Sequence, residues 1–521
     1  MSSWDFVTFG GYCVALIAIA WWVSRRDAKQ QTSSQDYFLA GNSLPWWAIG
    51  ASLIAANISA EQMIGMSGSG YAIGLAIASY EWMAALTLIL VAKFFLPIFL
   101  EKRIATMPQF LEQRYDRRVR TTLAVFWLGV YVLVNLTSVL YLGALAMDTI
   151  TGIGLMPALL FLALFSLSYS LYGGLRAVAF TDIIQVLLLI VGGLLVSFLA
   201  LDKIGMGQGV LAGTRTLLET VPDKFTLILP SNHPHYGDLP GLSVLFGGLW
   251  VMNFSYWGFN QYITQRALAA KNLQEAQKGV VFAAFLKLLM PVIVVLPGIA
   301  AAVLLPDLAK PDQAYPEMLK LVPAGLLGLT FAALVAAIAS SVSSMTNSVA
   351  TIFTLDIYQP LLHPDANDKR LLWVGRCSAL LSLSLAVLIA EPLLGRLDQA
   401  FQYIQEFTGF FTPGIVAIFL LGFFWKKTTA NAALAAAIAS ALLSLTLKLL
   451  WPELPFMDRV GLVFLCCILV AVTVVKLIER PRDNHHAAIH LDSLSYRTSA
   501  GFNLASVALC LVLAGLYAAW W

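Results

Sequence analysis

Fourteen runs of roughly 20 mostly apolar residues follow one another along this 521-residue chain, separated largely by short charged loops. An α-helix needs about 20 such residues to cross the hydrocarbon core of a bilayer. The runs, at about 4–23, 46–70, 73–100, 121–147, 155–172, 180–201, 243–265, 279–304, 322–357, 371–394, 401–424, 430–450, 457–477 and 500–520, therefore read as transmembrane helices. Composition agrees: the chain is 12% charged and 59% hydrophobic, with a mean hydropathy of +0.79, whereas soluble domains carry about 25% charged and about 45–50% apolar residues. The expected fold class is an all-α polytopic membrane protein. The longest stretches of soluble character, 202–241 and 478–499, leave no room for an extramembrane domain of about 100 residues. Cytosolic enzymes, nucleic-acid binders and secreted disulfide scaffolds are excluded.

The first run does not read as a cleaved signal peptide, since nothing basic precedes it and Arg25, Arg26 and Lys29 follow it. With that first loop placed in the cytoplasm and the spans alternated, the inside loops hold twenty basic residues, among them Lys102, Arg103, Arg114, Arg117, Arg118, Arg120, Arg176, Arg266, Lys426, Lys427, Arg480 and Arg482. The outside loops hold seven: Lys203, Arg215, Lys224, Lys310, Lys320, Arg396 and Arg459. Basic residues favour the cytoplasmic side, so both the count of fourteen and the placement of both termini outside follow from this asymmetry. Cys13, Cys377, Cys466, Cys467 and Cys510 all lie in apolar runs without metal or redox spacing, and are expected to be small buried hydrophobes. Trp82, Trp250 and Trp425 are expected at the membrane interfaces.

A charge at mid-span costs about 2.5–3.5 kcal/mol on insertion scales, so Glu61, Glu81, Asp182 and Lys287 each need a reason to be there. The second run carries the polar patch Asn57, Ser59, Glu61 and Gln62 halfway across. If the helix breaks there, freed carbonyls can bind a cation, and irregular backbone is tolerated where it lines a cavity. In the ninth run Ala337, Ser340 and Ser341 share one helical face by their i, i+3, i+4 spacing. Hydroxyls at such spacing also serve as helix-packing groups, but facing a broken helix they complete an oxygen cage for a hard monovalent cation. Asn253, Tyr256, Trp257, Asn260 and Gln261, and Phe401, Gln402, Tyr403, Gln405 and Glu406, combine amides with aromatic faces. That combination suits a sugar, and each residue alone suits an interfacial belt equally well.

The chain resembles the sodium/solute symporter family over almost its whole length, and within it the bacterial sodium-coupled galactose and glucose carriers. The resemblance rests on Asp36-Tyr37-Phe38-Leu39-Ala40-Gly41 with Ser43-Leu44-Pro45-Trp46-Trp47, on the run from Ala51 to Gly70, and on Tyr172-Gly173-Gly174-Leu175 leading to Thr181, Asp182 and Gln185. It rests also on Trp257-Gly258-Phe259-Asn260-Gln261 with Gln265-Arg266, and on Phe401 to Gly409. It implies a LeuT-like fold: two inverted five-helix repeats, at 46–201 and 243–424, each with a discontinuous first helix. The first flanking helix and its cytoplasmic loop would occupy 1–45, an extracellular loop 202–242, and three flanking helices 425–521.

The resemblance implies a sodium site of the Ala55, Ile58 and Ala337 carbonyls with the Ser340 and Ser341 hydroxyls, and sugar contacts from Asn57, Gln62, Glu81, Asn253, Lys287 and Gln405. Tyr256 would close the site from the cytoplasm, and Met66, Tyr80 and Phe401 from outside. Asp182 would lie on the ion's exit route or, with Ser340, Ser343 and Ser344, hold a second sodium. Galactose-transporting relatives have a serine where this chain has Ala84, which leaves the sugar open. The resemblance also implies a bacterial inner-membrane carrier that imports a sugar with sodium by alternating access, with lipid and no nucleic acid as surroundings. Symporters for proline or sialic acid share the fold, although a carboxylate ligand would be disfavoured beside Glu81. A channel is the remaining rival. An embedded enzyme would need a nucleophile or metal cluster at midplane depth, and the histidines instead fall in loops, at His233, His235, His485, His486 and His490.

Overall fold

The computed structural model describes residues 1–27, 43–102, 104, 107–170, 175–397, 399–479 and 495–521. Lys29, the motif at 36–41, Arg103, Tyr172 to Gly174, Arg480, Arg482 and the histidines at 485, 486 and 490 lie outside the described residues, as do the side chains of Arg25, Arg26, Arg176 and Thr181. The described chain is helical, and its one β-bridge joins Leu44 to Ala270.

Nine helices among the described residues are long and apolar enough to cross a membrane: Leu75–Glu101, Arg117–Thr151, Asp182–Ile204, Leu273–Leu304, Leu326–Leu362, Asp368–Leu394, Ala430–Leu450, Phe456–Glu479 and Ala500–Trp520. Ala400–Thr408 and Thr412–Phe424, bent by 45° at their junction, pass the same test together. The run at 46–70 fails it because its helix stops at Asn57 and resumes at Glu61, and the run at 243–265 because it divides into Leu242–Phe246, Gly248–Phe259 and Gln261–Leu268. Burial ranks the helices from centre to rim. The apolar stretch of Leu326–Leu362 is 89% buried and that of Ala500–Trp520 only 17%.

Both halves of the first broken helix pack on Leu273–Leu304. Two glycine contacts make this close. A Cβ on Gly50 would lie 2.7 Å from the carbonyl oxygen of Gly279, and one on Gly298 only 2.1 Å from that of Ser67. Leu273–Leu304 is itself jointed at Val294, just beyond Pro291, whose ring displaces a helical hydrogen bond. One jointed helix thus tracks another, and Lys287 is carried on its first segment, Leu273–Ile293.

The loop at 202–242 contains a helix, Val210–Thr220, and a 3₁₀ turn, Pro222–Phe225. Lys224 in that turn donates from Nζ to the carbonyls of Tyr71 (2.7 Å) and Ala72 (3.1 Å), satisfying the end of the second half-helix, Ser67–Ala72. Burial pushes its ammonium below the usual lysine value.

Two sequence expectations fail on exposure. Cys377 and Cys510 are exposed and Cys466 half-exposed, because the apolar runs carrying them turn much of their surface to lipid instead of a protein core. Trp82 is buried at 4% exposure, its ring edge-on to Tyr517 of the last helix at 5.9 Å, so it is a helix-packing residue and not an interfacial one.

Candidate functional site

The break in the first jointed helix begins at Ile58, whose ψ of 84° leaves the helical region. The Ser59 amide turns back to the Asn57 carbonyl at 2.8 Å instead of reaching Ala55, which leaves the Ala55 carbonyl without its helical donor. Beyond it, Glu61–Met66 resumes as a π-helical turn, the wider winding that often marks functional sites. Gln62 and Met66 ride on this turn, and Asn57 ends the first half.

Opposite, Leu326–Thr351 presents Ala337, Ser340, Ser341 and Ser343, all buried. The Ser341 and Ser343 hydroxyl oxygens have neither solvent nor a hydrogen-bond partner among the described residues. Ser340 donates to Asp182 Oδ1 at 2.7 Å. Buried hydroxyls normally find partners, so an unpartnered Ser341 on the face shared with Ala337 and Ser340 has the chemistry of a cation ligand.

A second cluster joins four elements. Lys287 Nζ donates to Glu81 Oε2 at 2.5 Å and to Asn57 Oδ1, and lies 4.9 Å from the centre of the Trp257 ring. Asn57 Nδ2 donates to the Tyr256 hydroxyl at 3.1 Å, which also accepts from the Tyr262 hydroxyl at 3.1 Å. Tyr80 and Phe401 meet edge to face at 5.2 Å. A Cβ on Gly65 would lie 3.1 Å from Phe401 Cβ, which sets the helix Ala400–Thr408 against the π-helical turn. Gln62 Oε1, Asn253 Nδ2, both amide atoms of Gln402 and Glu61 Oε1 are buried without partners among the described residues. Gln405 is half-buried one helical turn beyond Phe401.

Asp182 belongs to a third cluster. It accepts from Ser52 Oγ at 2.9 Å as well as from Ser340. Arg266 donates from Nε to Ser52 Oγ at 2.9 Å and from Nη2 to Ser344 Oγ at 3.1 Å, with Nη2 3.5 Å from Asp182 Oδ2. Arg266, counted in the sequence among cytoplasmic loop charges, is instead 1% exposed within the helix Gln261–Leu268. The physical cause is that the helix Gly248–Phe259 breaks at Asn260, and the segment that restarts at Gln261 is buried along most of its length.

Tyr131 is a further residue that sequence reasoning missed. Its hydroxyl donates to Asn260 Oδ1 at 2.7 Å and accepts from the Gln261 amide at 3.2 Å, stitching that break. Nothing local to Tyr131 announces this role, since its partners stand about 130 positions away along the chain.

Residues 37–440 match the sodium:solute symporter family. The chain is 52% identical to a sodium/glucose cotransporter of Vibrio parahaemolyticus, over 100% of its own length and 99% of that protein's. It is 33% identical to a sodium/myo-inositol cotransporter 2 of Sus scrofa, over 85% of the chain and 70% of that protein. Among solved structures, an outward-open sodium-coupled sialic acid symporter superposes with a TM-score of 0.78 at 22% identity, covering 92% of this chain and 98% of that one. A nucleobase-cation symporter in a closed conformation follows with a TM-score of 0.52 at 14% identity, covering 90% and 97%. These two share its fold. With its jointed helices, its buried hydroxyl face and a match spanning most of its length, the chain belongs to the sodium:solute symporter family.

Proposed function

We propose that this protein carries a sugar of the galactose or glucose type into the cell together with sodium, by alternating access. The observation that carries the reading is the buried Lys287–Glu81–Asn57 cluster, with Gln62 and Asn253, whose side-chain amides are buried and unpartnered, on the segments Glu61–Met66 and Gly248–Phe259. A polyhydroxylated ligand gives every one of these groups a donor or acceptor, and charged groups bind hydroxyls strongly. The 52% identity to a sodium/glucose cotransporter supports the same class of cargo. A carboxylate cargo would meet Glu81 and have only Lys287 to favour it.

Sodium is taken by the carbonyls of Ala55, Ile58 and Ala337 and the hydroxyls of Ser340 and Ser341. It ties the jointed helix to Leu326–Thr351 and sets Asn57 and Gln62 for sugar. That linkage is a coupling free energy and acts in both directions. Met66, Tyr80 and Phe401 close the pocket from outside and Tyr256 from inside. The Arg266 guanidinium stands among Asp182, Ser344 and Ser52, where a second cation would have to sit beside it. We therefore assign one sodium per sugar and give Asp182 the exit route.

The architecture that serves this cycle has fourteen spans with both termini outside, inverted repeats at 46–201 and 243–424, a flanking helix and loop at 1–45, an outer loop at 202–242 and three flanking helices at 425–521, in a bacterial inner membrane. The test is uptake into proteoliposomes under an imposed sodium gradient, with galactose, glucose, myo-inositol, proline and sialic acid. Saturable, sodium-stimulated uptake of a hexose is expected. Stimulation of proline or sialic acid alone would overturn the sugar assignment, and non-saturable flux would point to a channel.

A further inference from the structure

A cavity of about 500 Å³ opens between the start of the helix Arg117–Val130 and the end of the π-helical segment Ile352–Leu362, lined by Arg117, Arg118, Thr121, Thr122, Pro360 and Leu361. None of its lining residues belongs to the clusters above. Arg118 is engaged by Asp116 at 2.8 Å and by Asn431 Oδ1 at 3.0 Å. Arg120, one turn along, is spent on the buried carboxylate of Asp356 at 2.6 Å and on Glu112. Arg117 has no acidic partner among the described residues. The Thr121 hydroxyl oxygen has lost solvent and has no partner either. Arginines with one free guanidinium and one half-used thus line one concave surface together with Thr121 and Thr122.

We propose that this cavity binds a phosphate oxyanion, supplied by the headgroup of an anionic phospholipid. Guanidinium groups recognise phosphate through paired N–H donors, and basic pockets between membrane helices on the cytoplasmic side take anionic headgroups. Two observations select a lipid over a soluble phosphate. The cavity floor includes Pro360 and Leu361, and Leu361 and Leu362 are 50% and 60% exposed. Val125, one turn beyond Thr121 on the same helix, is 52% exposed, so an apolar path for acyl chains leads away from the polar pocket. The bound lipid bridges two helices already joined by Arg120 and Asp356, one of which continues the helix carrying Ser340 and Ser341. It therefore biases whichever arrangement of these helices holds it better.

The full-length protein in neutral detergent is titrated with phosphatidylglycerol, phosphatidylcholine or inorganic phosphate at constant ionic strength, and its thermal midpoint followed. Phosphatidylglycerol is expected to raise the midpoint, and phosphatidylcholine to leave it unchanged. The Arg117→Gln/Arg118→Gln double variant should need at least tenfold more phosphatidylglycerol, and Arg117→Lys, which keeps the charge and loses the paired donors, several-fold more. Equal responses in wild type and the double variant, or none to phosphatidylglycerol, overturn the site. An equal, arginine-dependent response to inorganic phosphate overturns the lipid and keeps the oxyanion. None of these residues touches the sugar or sodium clusters, so failure here leaves the transport reading standing.

Discussion

Lys287 holds Glu81, Asn57 and the face of Trp257 at once, with almost no solvent to screen any of them. A buried ion pair is weak evidence for net stability, because desolvating both charges offsets their attraction. Removing one partner, however, strands the other and costs about 3–5 kcal/mol. Glu81→Gln and Lys287→Gln are each expected to lower the thermal midpoint strongly and to reduce sugar uptake to background. The double variant strands neither charge. Its midpoint should recover most of the loss, while uptake stays at background because the hydroxyl-binding charges are gone. Thermal unfolding and sodium-driven uptake of the three variants check this. Full recovery of uptake in the double variant would make the pair structural only. The four mid-span charges were legible in the sequence because a charge inside a membrane-spanning run is costly and so needs a reason. Arg266 was not, since a residue at the end of a run looks like a loop residue until the break at Asn260 is known.

The helix Ala400–Thr408 bears Phe401 and Gln405 and is bent from its continuation by 45°. What holds this short element is Glu406, which accepts from Arg459 Nη2 at 2.6 Å and lies 2.9 Å from Lys448 Nζ. Both cations sit on the flanking helices, Phe456–Thr473 and Ala430–Leu450, and Arg459 is nearly buried, its guanidinium 5.5 Å from the Phe410 ring. A carboxylate shared by two cations on two helices fixes the element's angle more firmly than one exposed pair, worth about 0–1 kcal/mol. Glu406→Gln should therefore loosen the helix without touching sugar. The expected outcome is a several-fold higher KM for sugar with the sodium dependence nearly unchanged, measured by initial uptake rates, and Glu406→Asp should restore part of it. An unchanged sugar KM would show that the helix is held by its apolar face alone. Elements were legible where a local pattern dictates them. The polar patch at Asn57 to Gln62 foretold the break at Ile58. The discontinuity that the resemblance implied for the run at 243–265 falls at Asn260, where Tyr131 from a distant helix supplies the hydrogen bonds. A break satisfied by a remote side chain leaves little local trace.

For the molecule as a whole, the number of ions moved with each sugar sets how far transport can be driven. Family resemblance left both one and two sodium ions open, and sequence alone could not choose, because Asp182, Ser340, Ser343 and Ser344 are all present. Their surroundings weigh on the choice. Arg266 lies 3.5 Å from Asp182 and 3.1 Å from Ser344, so a second sodium would enter beside a fixed positive charge with its carboxylate already neutralised. At low dielectric such repulsion is several kcal/mol even with an effective dielectric constant of about 20. With one charge per cycle, a potential of about 100 mV contributes roughly 2.3 kcal/mol and a tenfold sodium gradient about 1.4 kcal/mol. The two together allow accumulation of several hundred-fold. The slope separates the alternatives better than the ceiling does. With one sodium, the steady-state sugar ratio in proteoliposomes should rise tenfold for each ~60 mV of imposed potential, since a decade corresponds to about 1.4 kcal/mol. With two, it should rise tenfold for each ~30 mV. The sodium-to-sugar flux ratio, measured with both isotopes in the same vesicles, should then be one. A ratio of two with the steeper slope would mean that Arg266 swings away during the cycle and that Asp182 with the serines holds a second ion after all.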